Sequence, residues 1–249
     1  MPNQVMLITG AGRGIGAALA KLAAQRGYSV AVNYAQNSAA AEAVVREIIA
    51  ADGEAVAIQA DVSQASGAAH LFEQVDQHFG RIDVLVNNAG IVGRTALIDE
   101  MDAASLAQVF ATNVYSYFYC AGEAVKRMST RHGGPGGVIV NLSSAAARHG
   151  GFPKEIAYAS SKGAVDAFTL GLAKELGRDG IRVNALRPGI IATEMHDAHG
   201  GKATIDAVGA TVPIGRAGTA NEVAEAVLWL ASPASSYVHG ALIDVSGGR

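Results

Sequence analysis

Three residue types in the second half of this 249-residue chain could together move a proton: Tyr158, Lys162 and the serine pair Ser143-Ser144. Tyr158 and Lys162 are four positions apart, the spacing that stacks two side chains on one helix face. A phenol with a pKa of about 10 is a poor acid or base at neutral pH. An adjacent ammonium favours the phenolate and makes the pair a usable acid/base. The Ser144 hydroxyl could then hold a carbonyl or alcohol oxygen against the phenol. Alone, Tyr-x-x-x-Lys more often describes a buried phenol beside a solvated amine, since structural pairs also perturb pKa values. The decision therefore falls on what else the chain carries.

At the other end, residues 5–9 read as a buried strand that stops at glycine. The following turn, Thr9-Gly10-Ala11-Gly12-Arg13-Gly14-Ile15-Gly16, opens an Ala/Leu-rich helix. Glycines let the backbone turn tightly and approach a pyrophosphate, while the helix N-terminus offers unpaired N–H groups. Its place between a strand and a helix makes a weak motif into an expected dinucleotide site. A second strand covers residues 29–34, and a carboxylate for the adenosine 2′-hydroxyl is expected at its end. Asn33-Tyr34-Ala35-Gln36-Asn37 stand there instead, and the next carboxylate is Glu42. Nothing repels a 2′-phosphate and Arg13 can attract one, so NADP is expected, with NAD possible. A third strand over 55–60 closes on Asp61-Val62, where Asp61 either accepts from the adenine or caps the next helix. A fourth, over 82–86, ends in Asn87-Asn88-Ala89-Gly90, leaving room for a ribose and supplying amides that can tie strand ends together.

One helix is expected over 104–130, with Asn113 inside it, which is unfavourable unless the amide has a task. The glycine-rich stretch 133–137 is a loop and not a linker, because strand 138–142 follows at once and carries Ser143-Ser144 at its end. Loop 145–153 leads into the helix of Tyr158 and Lys162. Strand 181–186 closes on Arg187-Pro188-Gly189, and residues 193–218 loosen into an expected lid over the substrate. A helix over 221–230 and a strand over 241–245 finish the chain. Strands alternating with helices throughout predict one α/β domain: a Rossmann-type, doubly wound parallel sheet covered on both faces.

Composition agrees. Half of the residues are apolar and only 16% are charged, which suits such a sheet. A net charge of −3 with no basic block argues against nucleic-acid or membrane-surface partners. Cys120 is the single cysteine, so no intrachain disulfide can form, and a reducing, cytoplasmic location is expected. Neither a leader-like N-terminus nor a bilayer-length apolar run is present in the sequence.

Taken in order, Thr9-Gly10-x-x-x-Gly14-Ile15-Gly16, Asn87-Asn88-Ala89-Gly90, Asn113, Ser144, Tyr158-x-x-x-Lys162 and Pro188-Gly189 closely resemble the classical short-chain dehydrogenase/reductases. The likeness runs from Thr9 to Gly248. It implies a seven-stranded single domain, Tyr158 as general acid/base and Lys162 on the nicotinamide ribose. It also implies Ser144 on the substrate oxygen, and Asn113 holding a water in the proton path beyond Lys162. Thr193 would help hold the nicotinamide carboxamide, with the Ile191 backbone nearby, and the assembly would be a two-fold symmetric homotetramer. The Ser144-to-Tyr158 spacing is one residue longer than the family's commonest, which keeps Ser143 as an alternative.

Two substrate readings compete. Arg148, His149, Glu155, His196 and His199 in the expected pocket segments suit a small carbonyl or a sugar- or polyol-like alcohol. A 3-oxoacyl group on a carrier protein would need a basic docking surface, for which Lys126, Arg127 and Arg131 are candidates. A non-catalytic dinucleotide sensor is the remaining alternative. His196-x-x-His199 falls short of a zinc pattern, so no metal is expected.

Overall fold

Four consecutive apolar residues, Val5–Ile8, form β1 and are buried completely, because each face of the sheet has its own core. Met6 and Ile8 point to one core while Val5 and Leu7 point to the other, the two-residue period of a strand covered twice. The computed structural model describes residues 3–193 and 201–249. In chain order β1 is followed by α1 (Gly14–Gln25), β2 (Ser29–Tyr34), α2 (Ser38–Ala50), β3 (Glu54–Gln59), α3 (Ala65–Phe79) and β4 (Val84–Asn87). Then come α4 (Ala103–Phe110), a π-helical turn (Ala111–Tyr115), α5 (Ser116–Met128), β5 (Gly137–Leu142), α6 (Ala146–His149), α7 (Ile156–Leu176) and β6 (Ile181–Pro188). The chain closes with β7 (Ile191–Ala192), α8 (Gly201–Gly209), β8 (Gly218–Thr219), α9 (Ala220–Ala231) and β9 (Leu242–Val245).

Seven strands pair in the order β3-β2-β1-β4-β5-β6-β9, every pair parallel, as a single doubly wound domain. One core packs α1, α2 and α9 on one face, and the other packs α3, α5 and α7 on the opposite face. Strand order reverses between β1 and β4. That is the place where a parallel sheet opens a crevice at its carboxyl ends.

Three local features depart from the expectation. The long helix expected over 104–130 is interrupted by the π turn, and Asn113 lies within it. A single extra residue per turn is a costly form that persists where tertiary bonds hold it, and Asn113 has such bonds. The loop expected over 145–153 contains the one-turn α6. The loosened segment contains α8, and β7 pairs with β8 to close its base. His196 and His199 lie outside the described residues.

Candidate active site

Both segments at the β1/β4 switch are pinned by side chains. The Thr9 hydroxyl accepts the backbone N–H groups of Asn88 at 2.9 Å and Ala89 at 3.0 Å. Asn88 Nδ2 donates to the carbonyls of Thr9 at 2.8 Å and Gly10 at 3.1 Å. From the other side, Asn33 Oδ1 accepts the Gly10 N–H at 3.2 Å while its Nδ2 donates to the Ala60 carbonyl at 3.0 Å. Gly10 and Gly14 have φ of +63° and +56°, and a Cβ on Gly16 would lie 2.6 Å from Asn88 Nδ2. No side chain caps the first turn of α1 and no carboxylate occupies it. A backbone this close to the cleft, ending in uncapped N–H groups, fits a pyrophosphate.

A cavity of about 1090 Å³ runs from this turn to Tyr158, ample beside the roughly 300–1,000 Å³ of ordinary ligand pockets. Of the residues expected to bind the cofactor or carry the reaction, all but Gly16, Asn33, Val62 and Asn113 lie on its wall. Those four are buried behind it. Asn33 therefore supports the glycine turn instead of facing the cleft. Asp61 lies on the wall, and its Oδ1 accepts the Ser63 N–H at 3.0 Å in a turn that precedes α3; the N-cap of that helix is Gln64 and no side chain caps it, so the capping role expected of Asp61 is not the one found.

At the far end, α7 carries Tyr158 and Lys162. The Lys162 ammonium is buried, donating to the Leu142 carbonyl at 2.7 Å and to Tyr117 Oη at 3.3 Å. It stands 5.9 Å from the Tyr158 ring centroid. Burial pulls its pKa down to about 7, against an opposing pull from Asp166. Burial pushes the Tyr158 phenol up, the Ser144 side chain draws it back down by hydrogen bonding, and Glu155 pushes it up again. The expectation that Lys162 lowers the phenol pKa is thus corrected. Its Nζ is committed to Leu142 and Tyr117, and the downward pull comes from Ser144.

The two serines separate clearly. Ser143 is buried and donates to the Lys162 carbonyl at 3.2 Å. Ser144 is half-buried, accepts the Ala146 N–H at 3.1 Å and reaches the Tyr158 phenol. Asn113 is fully buried, and its Oδ1 accepts the Ile91 N–H at 2.8 Å. Its Nδ2 donates to the Ile91 carbonyl at 2.8 Å and to Ser161 Oγ at 3.0 Å, which is the task that an Asn within a helix requires.

A family profile described as Enoyl-(Acyl carrier protein) reductase matches residues 10–249. The chain is 47% identical to the uncharacterized oxidoreductase YgfF of Escherichia coli K12, over 98% of this chain and 99% of that one. It is 41% identical to a 3-oxoacyl-[acyl-carrier-protein] reductase of Synechocystis, over 98% of this chain and 96% of that one. A solved short-chain dehydrogenase/reductase from Serratia marcescens superposes with a TM-score of 0.90 at 36% identity, covering 100% of this chain and 99% of that one. The chain belongs to the short-chain dehydrogenase/reductases. As a member it is an oxidoreductase of carbonyl or CH–OH groups that works with a nicotinamide dinucleotide.

Some parts of this short-chain dehydrogenase/reductase site are silent in the sequence. Thr9, Tyr117 and Ser161 each bond residues distant in the chain, and no local pattern announces that. Among the charged residues expected near the substrate, His149 and Glu155 line the cavity, while Arg148 pairs with Asp244. Lys126 pairs with Glu123, Arg127 with Asp76 and Glu123, and Arg131 with Asp179, and none of the three cations lines the cavity. Among the described residues no group of three metal-capable side chains occurs.

The lowered pKa of Lys162 has a consequence for stability. In the unfolded chain the amine keeps its proton up to about 10.5, whereas the folded protein releases it near 7. Between those values the unfolded state binds more protons, so stability rises with pH. Melting temperatures taken without added cofactor from about pH 7 to 10 should rise for the wild type relative to Lys162→Met. Parallel curves would show that Lys162 keeps an ordinary pKa.

Proposed function

We propose that this protein transfers hydride between NADP(H) and the carbonyl or alcohol group of a small substrate, with Tyr158 as general acid/base. The observation that carries this reading is Ser144, Tyr158 and Lys162 standing together on the wall of a cavity that continues to an uncapped, glycine-rich helix start. A bound nicotinamide supplies or takes up the hydride. In reduction, the Tyr158 hydroxyl gives its proton to the substrate oxygen as charge builds there, and the Ser144 hydroxyl stabilises that same oxygen. Lys162, held by Leu142 and Tyr117, supports the ribose and offers a proton path through a water near Asn113. Thr193 and the Ile191 backbone hold the carboxamide end, and Pro188 and Gly189 shape the wall beside them. The lid expected over 193–218 falls in part on residues 194–200, outside the described residues.

NADP is favoured over NAD by Arg13. It is exposed at the N-cap of α1 and lines the cavity beside Tyr34, Ala35, Gln36 and Asn37, where no carboxylate opposes a 2′-phosphate. A small ketone or sugar- or polyol-like alcohol is favoured over a carrier-bound 3-oxoacyl group, because the cations that would dock a carrier are already paired. The single buried thiol suits a reducing, cytoplasmic location. A homotetramer is supported by exposed apolar side chains on α4, α5, α7 and α9 (Leu106, Phe118, Leu170, Trp229) and in the approach to the last strand (Tyr237).

Tyr158→Phe should bind NADPH as the wild type does yet lose turnover by about 10²–10⁴-fold. NADPH oxidation against a panel of ketones, sugars and an acetoacetyl thioester reads this out and ranks the substrate classes. Wild-type turnover in the variant would remove Tyr158 from the mechanism. Arg13→Glu should lower the NADPH-over-NADH ratio of kcat/KM by about tenfold or more; an unchanged ratio would leave Arg13 without that role. Sedimentation equilibrium should give four subunits, and a monomer would refute the assembly.

A further inference from the structure

A carbonyl/alcohol oxidoreductase with the proton and cofactor groups assigned above has one cation on its cavity wall without a task, and the role given to that cation rests on the same reading. Among the described residues, Asp166 Oδ1 and Arg249 Nη1 are buried side-chain atoms lacking a hydrogen-bond partner. Asp166 already holds Arg187 through its other oxygen, at 2.7 Å. Arg249 differs: it lines the cavity, and its guanidinium lies 4.9 Å from the Phe152 ring centroid. It forms no ion pair among the described residues.

The segment that delivers this side chain is built with care for its backbone. Gly247 and Gly248 take φ of +64° and +94°. The Ser246 hydroxyl donates to the Arg249 carbonyl at 2.9 Å, and the Gly247 carbonyl accepts the Ile214 N–H at 3.1 Å. Ser246 also packs on Gly189, where an added Cβ would come within 2.8 Å of its Cα. The guanidinium therefore stands against the loop that leads into α7, toward the Tyr158 end of the cavity. Arg13 marks the opposite end.

We propose that Arg249 determines specificity by binding a carboxylate of the substrate, remote from the carbonyl that reacts, so that the substrates are oxo acids and hydroxy acids. A guanidinium stacked on an aromatic face keeps its N–H edge free for a planar, two-oxygen partner. A buried N–H without an acceptor is costly, and a carboxylate removes that cost. One cation, with the Glu155 carboxylate on the same wall, suits a monoanion better than a phosphate dianion.

The test uses methyl-ketone acids of increasing chain length, beginning with levulinate, each against its methyl ester. NADPH oxidation gives kcat and KM, and calorimetry on enzyme holding NADP⁺ gives binding without turnover. The wild type should prefer the acid at one or more lengths by about 10–100-fold, carried by KM. Arg249→Gln should abolish that preference while leaving ester kinetics unchanged, and Arg249→Lys should restore part of it. Ester turnover without acid preference, or equal loss for acid and ester in Arg249→Gln, overturns the role of Arg249 and leaves the reductase reading intact. If no pair is turned over, acid-selective binding that disappears in Arg249→Gln upholds Arg249 and counts against the reductase reading. Absence of acid-selective binding at every length overturns Arg249.

Discussion

In a sheet whose strands all run one way, every strand delivers its carboxyl end to the same side, and the polar groups that emerge there have no further ladder to join. This protein meets that constraint with asparagines. Asn87 donates to Asn141 Oδ1 at 2.9 Å, and Asn141 donates in turn to Thr169 on α7 at 2.9 Å. With Asn33 and Asn88 at the glycine turn, these amides convert a row of strand ends into a fixed shelf. Everything that could touch a cofactor or a substrate stands on that shelf or beside it.

The same shelf accommodates a charge that an apolar interior resists. A buried ammonium loses its hydration and must find protein acceptors. Lys162 finds the Leu142 carbonyl, which also accepts from Tyr117 at 2.8 Å. Burial moves the amine and the phenol in opposite directions, Lys162 downward and Tyr158 upward, so both are pressed toward their neutral forms. The site is therefore one in which the Ser144 hydroxyl, and any charge brought into the cleft, has strong leverage over where a proton rests.

Strand positions, the glycine turn and the Tyr158–Lys162 helix are legible in the sequence because each leaves a local trace: an apolar run, a cluster of small residues, a four-residue spacing. The choice of Ser144 over Ser143 follows only from resemblance, since no local pattern tells that the Ser143 hydroxyl is spent on the Lys162 carbonyl of α7. The π turn is equally hidden. Its cause is Asn113 reaching Ile91 and Ser161, contacts that no window of the sequence contains. Lys126, Arg127 and Arg131 resemble a basic patch on paper, yet Lys126 pairs with Glu123 on its own helix, and the partners of Arg127 and Arg131, Asp76 and Asp179, arrive from other helices and turns. The stacking of Arg249 on Phe152 is likewise a product of the fold alone.

One carbonyl, that of Leu142, bonds Lys162 and immediately precedes both serines, so β5 and α7 hold the reacting groups as a single block. The opposite wall is attached differently, through the two-residue pairing of β7 with β8 and the turn after β9. The two walls meet where Arg148 pairs with Asp244 and Arg249 stacks on Phe152, so a change on the second wall reaches the block through those few contacts while leaving the Leu142–Lys162 bond itself unaltered.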